Sequence, residues 1–398
     1  MASTHTTLGY RCNGTAKRAL GIILIAWLMI SGGAVHGAEP RAPNGETPMS
    51  PGYQIARGVI DGARWVLALP EPPLRGLLVF NHGYRTEAQR LSAEVDFETE
   101  PFASAIAAGY AVTASSFRRN GWIVCDAVTD TEVLIEEIAR RHGPFEHVLV
   151  AGESMGGAVS LRMLEREPGR YAGALILGDG LFSTDEGEPR CPGLNGAVAD
   201  PVLVLVNRSE AAGPRRYVES IAGEAPKPPV LWVVERDGHV NFNGGELATA
   251  FAALNGWTNG DERPAPKVFA ITATPESSAV FEGCCAASAA VRSVDPNFGN
   301  LTTAFTEHDL ERMGIAVGVP FELAFRGATV RVRRVSTYGE VQRGRWLALI
   351  DGDGYLQIAI NYDDAAAALG VATGDILRIA AVREEGDAAA GAETAPAR

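Results

Sequence analysis

The chain has 398 residues, 46% of them hydrophobic and 21% charged, the composition of a globular protein long enough for two domains. A net charge of −13 argues against a nucleic-acid partner, because no basic stripe is available to release counterions. An acidic surface otherwise implies solubility and does not identify a substrate.

Arg11, Lys17 and Arg18 precede an apolar run over residues 19–30, then small residues and Val35-His36-Gly37 as a cleavage site. Residues 1–37 therefore read as a secretory signal peptide, giving a periplasmic or secreted protein without stable membrane insertion after cleavage. The run is short for a membrane span, and an uncleaved anchor is the alternative. Export permits disulfides, and the mature part keeps Cys125, Cys191, Cys284 and Cys285, with Cys125 and Cys191 placed to pair.

Residues 38–52 are polar and rich in Pro and Gly, a flexible leader. Strands are expected over residues 64–69, 76–80, 110–115, 148–150, 173–177, 202–206 and 230–234. Helices are expected over residues 98–108, 126–141, 158–164 and 246–254. Strands alternating with helices predict an α/β fold with a doubly wound, mostly parallel sheet over residues 53–260. Residues 261–290 read as linker and connecting strands. Residues 291–383 are strand-rich, interrupted by glycines and without a long helix, which predicts a small antiparallel β-barrel. Residues 384–398 read as a disordered tail.

Gly152-Glu153-Ser154-Met155-Gly156 is the stretch that carries chemistry. A bare G-x-S-x-G is weak evidence in a chain with 45 glycines. Here it follows a strand and opens a helix, the context in which a strained turn exposes a nucleophilic serine. A serine hydroxyl needs a general base, and only His239 and His308 follow Ser154. His308 lies in the β unit, whereas His239 follows the strand at 230–234, so His239 is the expected base. Glu210, past the strand at 202–206, is the expected acid, with Asp179 after the preceding strand as the alternative. The oxyanion donors would be the backbone amides of Met155 and Tyr84, in a loop shaped by His82 and by Gly83, which permits a chain reversal. This machinery requires no metal and no organic cofactor.

Together these residues resemble the serine α/β-hydrolase superfamily over residues ~53–260. They are most similar to secreted bacterial esterases and peptidases with His-Gly after the third strand and G-H-x-x-F around the base, here residues 238–242. The resemblance implies a carboxylic ester substrate, or an amide or peptide bond, cleaved through an acyl-enzyme. The segment 181–201, where such enzymes insert a lid, is short and implies an open pocket. A second resemblance covers residues ~291–380. Asp295-Pro296-Asn297-Phe298-Gly299-Asn300 and the strands that follow are similar to the C-terminal barrel of S-adenosylmethionine hydroxide adenosyltransferases. There, residues matching Asp295, Phe298 and Asn300 face the nucleoside, which implies possible ligand binding in the barrel. Gly352-Asp353 stands where that family has a serine pair. The barrel is alternatively a docking or substrate-screening module, and a non-catalytic ligand-binding protein is the rival from another class. Every expected catalytic group precedes residue 266, so the sequence alone predicts a barrel dispensable for cleaving small esters.

Protein recovered from periplasm or medium is expected to begin near Ala38, as N-terminal sequencing would establish. An intact N-terminus in the membrane fraction would instead identify residues 19–30 as an anchor.

Overall fold

The computed structural model describes residues 52–180, 194–223, 225–270, 275–296 and 298–382. The expected signal peptide, nearly all of the leader, residues 181–193 of the expected lid segment, and the C-terminal tail lie outside the described residues.

The first part contains β1 (Tyr53–Ile60), β2 (Ala63–Pro70), β3 (Gly76–Asn81), α1 (Phe102–Ala107), β4 (Tyr110–Ser115), α2 (Val124–His142), β5 (Val148–Glu153) and α3 (Met155–Arg166). It continues with β6 (Gly173–Leu177), β7 (Val202–Asn207), α4 (Ala212–Ile221), β8 (Val230–Val234), α5 (Gly244–Thr258) and β9 (Lys267–Phe269). The strands form one sheet in the order β1-β2-β4-β3-β5-β6-β7-β8-β9. Pairs β1–β2 and β2–β4 are antiparallel and all others are parallel. Two strands escaped the sequence reading. β1 carries too many half-exposed positions for an apolar signal, and the three-residue β9, mostly exposed, extends the sheet beyond β8.

Strands β3, β4, β6, β7 and β8 are buried along their whole length, which explains their mostly apolar sequences without alternation: helices cover both faces. Alternate residues go to opposite faces. Val148 and Val150 of β5 pack with α2, α3 and α4, while Leu149 and Ala151 pack with α1 and α5. Helix α1 is shorter than expected because Pro101 stands at its N-terminus.

The second part contains β10 (Val280–Phe281), β11 (Ala286–Val294), β12 (Leu301–Thr306), α6 (Glu307–Arg312), β13 (Pro320–Phe325) and β14 (Ala328–Arg334). It ends with β15 (Trp346–Ile350), β16 (Tyr355–Ile360), α7 (Ala365–Leu369) and β17 (Ile376–Ala381). The order is β10-β11-β12-β16-β15-β14-β13-β17, and β17 pairs back onto β11, closing a barrel of seven strands with β10 attached outside. The barrel is not wholly antiparallel as expected, since β14 and β15 run parallel. A separate core fills it, including Phe305, Phe321, Leu323, Ile358 and Ile379.

Three backbone approaches fix the centre of the first sheet. A Cβ on Gly152 would lie 2.0 Å from the Gly156 carbonyl oxygen, and one on Gly156 would lie 1.9 Å from that of Asn81. A Cβ on Gly180 would lie 1.9 Å from the carbonyl oxygen of Ser154. Substituting Gly156→Ala is therefore expected to cost at least the roughly 1–3 kcal/mol of an overpacked core. Gly223→Ala, with nothing within 4 Å of the added carbon, should be near neutral. Urea midpoints of the two variants check this, and equal midpoints would contradict the packing.

Candidate active site

The sheet order reverses at β3, which lies between β4 and β5, and open α/β sheets bind ligands outside the strand ends at such a point. The loops after β3, β5, β6, β7 and β8 all emerge at this edge. They carry Tyr84, Ser154, Asp179, Glu210 and His239.

Ser154 sits between β5 and α3 with φ 52° and ψ −120°, a conformation that is costly for a residue with a Cβ. Its amide donates to the Leu177 carbonyl at 2.9 Å, and its carbonyl accepts from Gly157 at 2.8 Å. The side chain is thereby held toward the strand ends. His239 Nε2 lies 2.7 Å from Ser154 Oγ, and His239 Nδ1 lies 2.5 Å from Glu210 Oε2.

Of the two acids that sequence left open, Glu210 is the one on the imidazole. Asp179 contributes its backbone, whose N–H donates to Glu210 Oε2 at 3.1 Å and helps to hold that carboxylate. Strand adjacency explains the choice, since β7 is the immediate neighbour of β8 whereas β6 is one strand further away. Asp237, next but one to His239, is turned outward to Arg208 at 2.9 Å.

The two loops are stitched together by residues the sequence reading passed over. Asn207 Nδ2 donates to the Asn241 carbonyl and Asn207 Oδ1 accepts from the Asn241 amide, each at 2.8 Å. Ser209 Oγ donates to the Gly238 carbonyl and accepts from the Gly238 amide, each at 2.9 Å. Buried Arg236 donates to the Asn241 carbonyl at 2.9 Å and pairs with buried Glu246 at 3.1 Å. Glu246 in turn forms a capping box with Asn243 at the start of α5. The only available sequence signal was the Asn-x-x-Glu spacing at 243–246.

Met155 opens α3, so its amide belongs to the first turn, whose N–H groups have no acceptor within the helix. Tyr84 follows His82-Gly83. Gly83 lies outside the left-handed region and allows close approach, since its Cβ would lie 3.3 Å from the Glu153 carbonyl oxygen and Ser154 Cβ. His82 is buried, with Nδ1 2.6 Å from the Gly83 carbonyl oxygen and its ring 4.3 Å from that of Phe117. Burial, aided by the charge of Arg85, lowers its pKa to about 3, so it is neutral and structural.

Burial lowers the His239 pKa, but the hydrogen bond and charge of Glu210, with the charges of Glu153 and Asp179, outweigh it and leave the pKa raised. Burial raises Glu153, opposed by the Gly83 amide and Arg85, while Asp295 adds to the rise.

Asp295 belongs to the barrel, so the barrel motif faces the hydrolase-like sheet. Its Oδ1 accepts from the Phe298 amide at 2.6 Å, and Asn300 Nδ2 donates to Tyr338 Oη at 3.0 Å. Tyr338 Oη donates to Gln357 Oε1 at 2.6 Å, and burial, with the charge of Asp295, raises its pKa. Asp295 and the Phe298 backbone are thus joined within one turn, and Asn300 is bonded to Tyr338 of the barrel. Cys125 and Cys284 each take part in a disulfide; Cys191, the expected partner of Cys125, lies outside the described residues.

This is an α/β-hydrolase-like sheet followed by a closed seven-stranded barrel. A family model for the SAM hydroxide adenosyltransferase C-terminal domain matches residues 289–378. No curated protein matches the chain. Among solved structures, an uncharacterized conserved protein from Thermotoga maritima is 24% identical with a TM-score of 0.25, over 34% of this chain and 50% of that one. The chain thus spans half the length of that protein. An esterase from Pyrococcus furiosus is 14% identical, TM-score 0.38, over 55% of this chain and 95% of its own. An acetyl xylan esterase from Thermoanaerobacterium is 17% identical, TM-score 0.39, over 53% and 86%.

The raised His239 pKa gives a signed prediction. A group whose pKa is higher in the folded state stabilises the fold fully below its unfolded value and loses that contribution as pH rises through the folded one. The imidazole should titrate by NMR above the ordinary value of about 6.5, and Glu210→Gln should bring the midpoint down. A midpoint unmoved by Glu210→Gln would contradict the 2.5 Å contact.

Proposed function

We propose that the protein is an exported serine hydrolase that cleaves a carboxylic ester through an acyl-enzyme. The observation that carries this reading is the unbroken line from Glu210 through both ring nitrogens of His239 to Ser154 Oγ. Three strand ends supply it, and the Met155 and Tyr84 amides are the oxyanion donors of this reading.

Ser154 Oγ attacks the ester carbonyl carbon while His239 Nε2 takes the hydroxyl proton. Charge moves onto the carbonyl oxygen, where the Met155 and Tyr84 amides face it. Glu210 keeps the proton on Nδ1 of the neutral ring, so that Nε2 is the acceptor, and stabilises the imidazolium once formed. The tetrahedral species collapses; the alcohol leaves with the proton from Nε2, and the acyl group stays on Ser154. A water, deprotonated by His239, attacks the acyl carbon. The second collapse releases the acid and returns the proton to Ser154. An amide or peptide substrate follows the same steps with an amine as leaving group.

The substrate is a small ester, or secondarily a peptide, and neither nucleic acid nor a cofactor enters these steps. Placement outside the cytoplasm is supported by the charged-then-apolar N-terminus and by the disulfides at Cys125 and Cys284.

Ser154→Ala should abolish both p-nitrophenyl ester hydrolysis and fluorophosphonate labelling while leaving the fold intact; equal labelling in the variant would assign the chemistry to another serine. Glu210→Gln should lower kcat by on the order of 10⁴, far more than Asp179→Asn. Matched ester and amide substrates give the preference. Since His239 acts neutral, kcat/KM should rise with pH through a midpoint above about 6.5.

A further inference from the structure

We propose that the barrel is a positioning component of the hydrolytic site: the turn between β15 and β16 fixes the loop carrying His239, and Tyr362 braces the loop carrying Tyr84. The inference rests on the serine hydrolase reading above. It departs from the expectation that the barrel is dispensable for cleaving small esters, which rests on every expected catalytic group preceding residue 266.

The first contact is made of backbone. A Cβ on Gly352 would lie 2.4 Å from both the carbonyl carbon and oxygen of Phe242, and 2.7 Å from the Asn243 amide nitrogen. A rotating side chain cannot relieve an overlap with main chain. The turn at Gly352 therefore lies directly on the segment three and four residues after His239. Asn241 Nδ2 donates to the Ile350 carbonyl at 2.8 Å and to the Asp237 carbonyl at 3.1 Å, joining barrel and His239 loop through one amide. Asn243 Nδ2 reaches the Gly352 carbonyl at 3.4 Å. Asn241 is also the residue bonded to Asn207, three positions before Glu210. A displaced turn would thus be felt at the base and at its acid. A side chain at 352 would push the His239 loop off the barrel.

The second contact is on the oxyanion side. The Tyr84 and Tyr362 rings meet edge to face at 5.4 Å and 81°, and the Arg343 guanidinium lies 4.5 Å from the Tyr362 ring centre. Tyr362 holds this place with φ 61°, unusual for a non-glycine residue. The charge of Asp295 acts on Arg85 and Glu153, which flank Tyr84 and Ser154 in the chain. A nucleophile and base are sensitive to displacements of about 1 Å, worth up to ~100-fold in rate. Contacts on both loops are thus a means of holding that geometry.

The test uses the full chain. Gly352→Ser and Tyr362→Ala are first checked for folding by circular dichroism and melting. For folded Gly352→Ser, kcat on a p-nitrophenyl ester should fall about tenfold or more with KM little changed, and fluorophosphonate labelling should slow in parallel. The acid-side midpoint of its kcat/KM profile should move down, because His239 is drawn from Glu210; loss of stability alone would not move it. Tyr362→Ala should lower kcat without moving the midpoint. If Gly352→Ser does not fold, Tyr362→Ala decides the proposal. Wild-type kcat in the folded variants would overturn the positioning role while leaving the hydrolase reading intact. Failure of the wild-type Ser154 to label would instead remove that reading, and this inference with it.

Discussion

The close approach of backbones behind Ser154 is the constraint on which the site depends. Strand β5 must turn directly into α3, and the turn has space only because Gly152, Gly156 and Gly180 lack side chains. The Asn81 carbonyl that Gly156 touches is itself anchored, since the Asn81 side chain donates to Ser160 Oγ at 3.0 Å and accepts from Thr131 Oγ1 at 2.9 Å. β3, α2 and α3 are therefore tied at one buried point, and the strained Ser154 is held from three sides. Strain of this size, of order 1–3 kcal/mol, persists only where the surroundings leave no alternative conformation.

Around the serine the electrostatics are mainly acidic. Glu210, Glu153 and Asp179 all act on His239, and together they outweigh its burial. Such a field favours the imidazolium, the species that carries charge once a serine hydroxyl has lost its proton. Burial raises the pKa of Glu153 itself, and the Gly83 amide and the charge of Arg85 oppose that rise. The nearby Arg236–Glu246 pair is buried on both sides, and its extra bond to the Asn241 carbonyl satisfies a donor that would otherwise be costly. The His239 loop is in this way attached to α5, to β7 and to the barrel.

The barrel closes on itself through β11 and β17, so it has its own core and leaves few strand edges to pair elsewhere. Its contacts with the sheet come through turns: 350–352 toward residues 241–243, and Tyr362 toward Tyr84.

Sequence by itself determined the parallel sheet, the barrel, and the Ser154–His239 pair. Buried parallel strands must be continuous aliphatic runs, and a strained turn between strand and helix must place glycines beside its serine. Both demands are local, so both are legible along the chain. Sequence favoured Glu210 over Asp179 without excluding the latter; that the Glu210 carboxylate lies on His239 depends on the tertiary structure, in which β7 neighbours β8. The same holds for Asn207 with Asn241, Arg236 with Glu246, and Gly352 against Phe242. These are pairings between segments far apart in the chain or turned away from each other along it. A side-chain amide or a glycine leaves no periodic signal of its partner, so a loop contact of this kind exists only once the sheet has brought the two segments together.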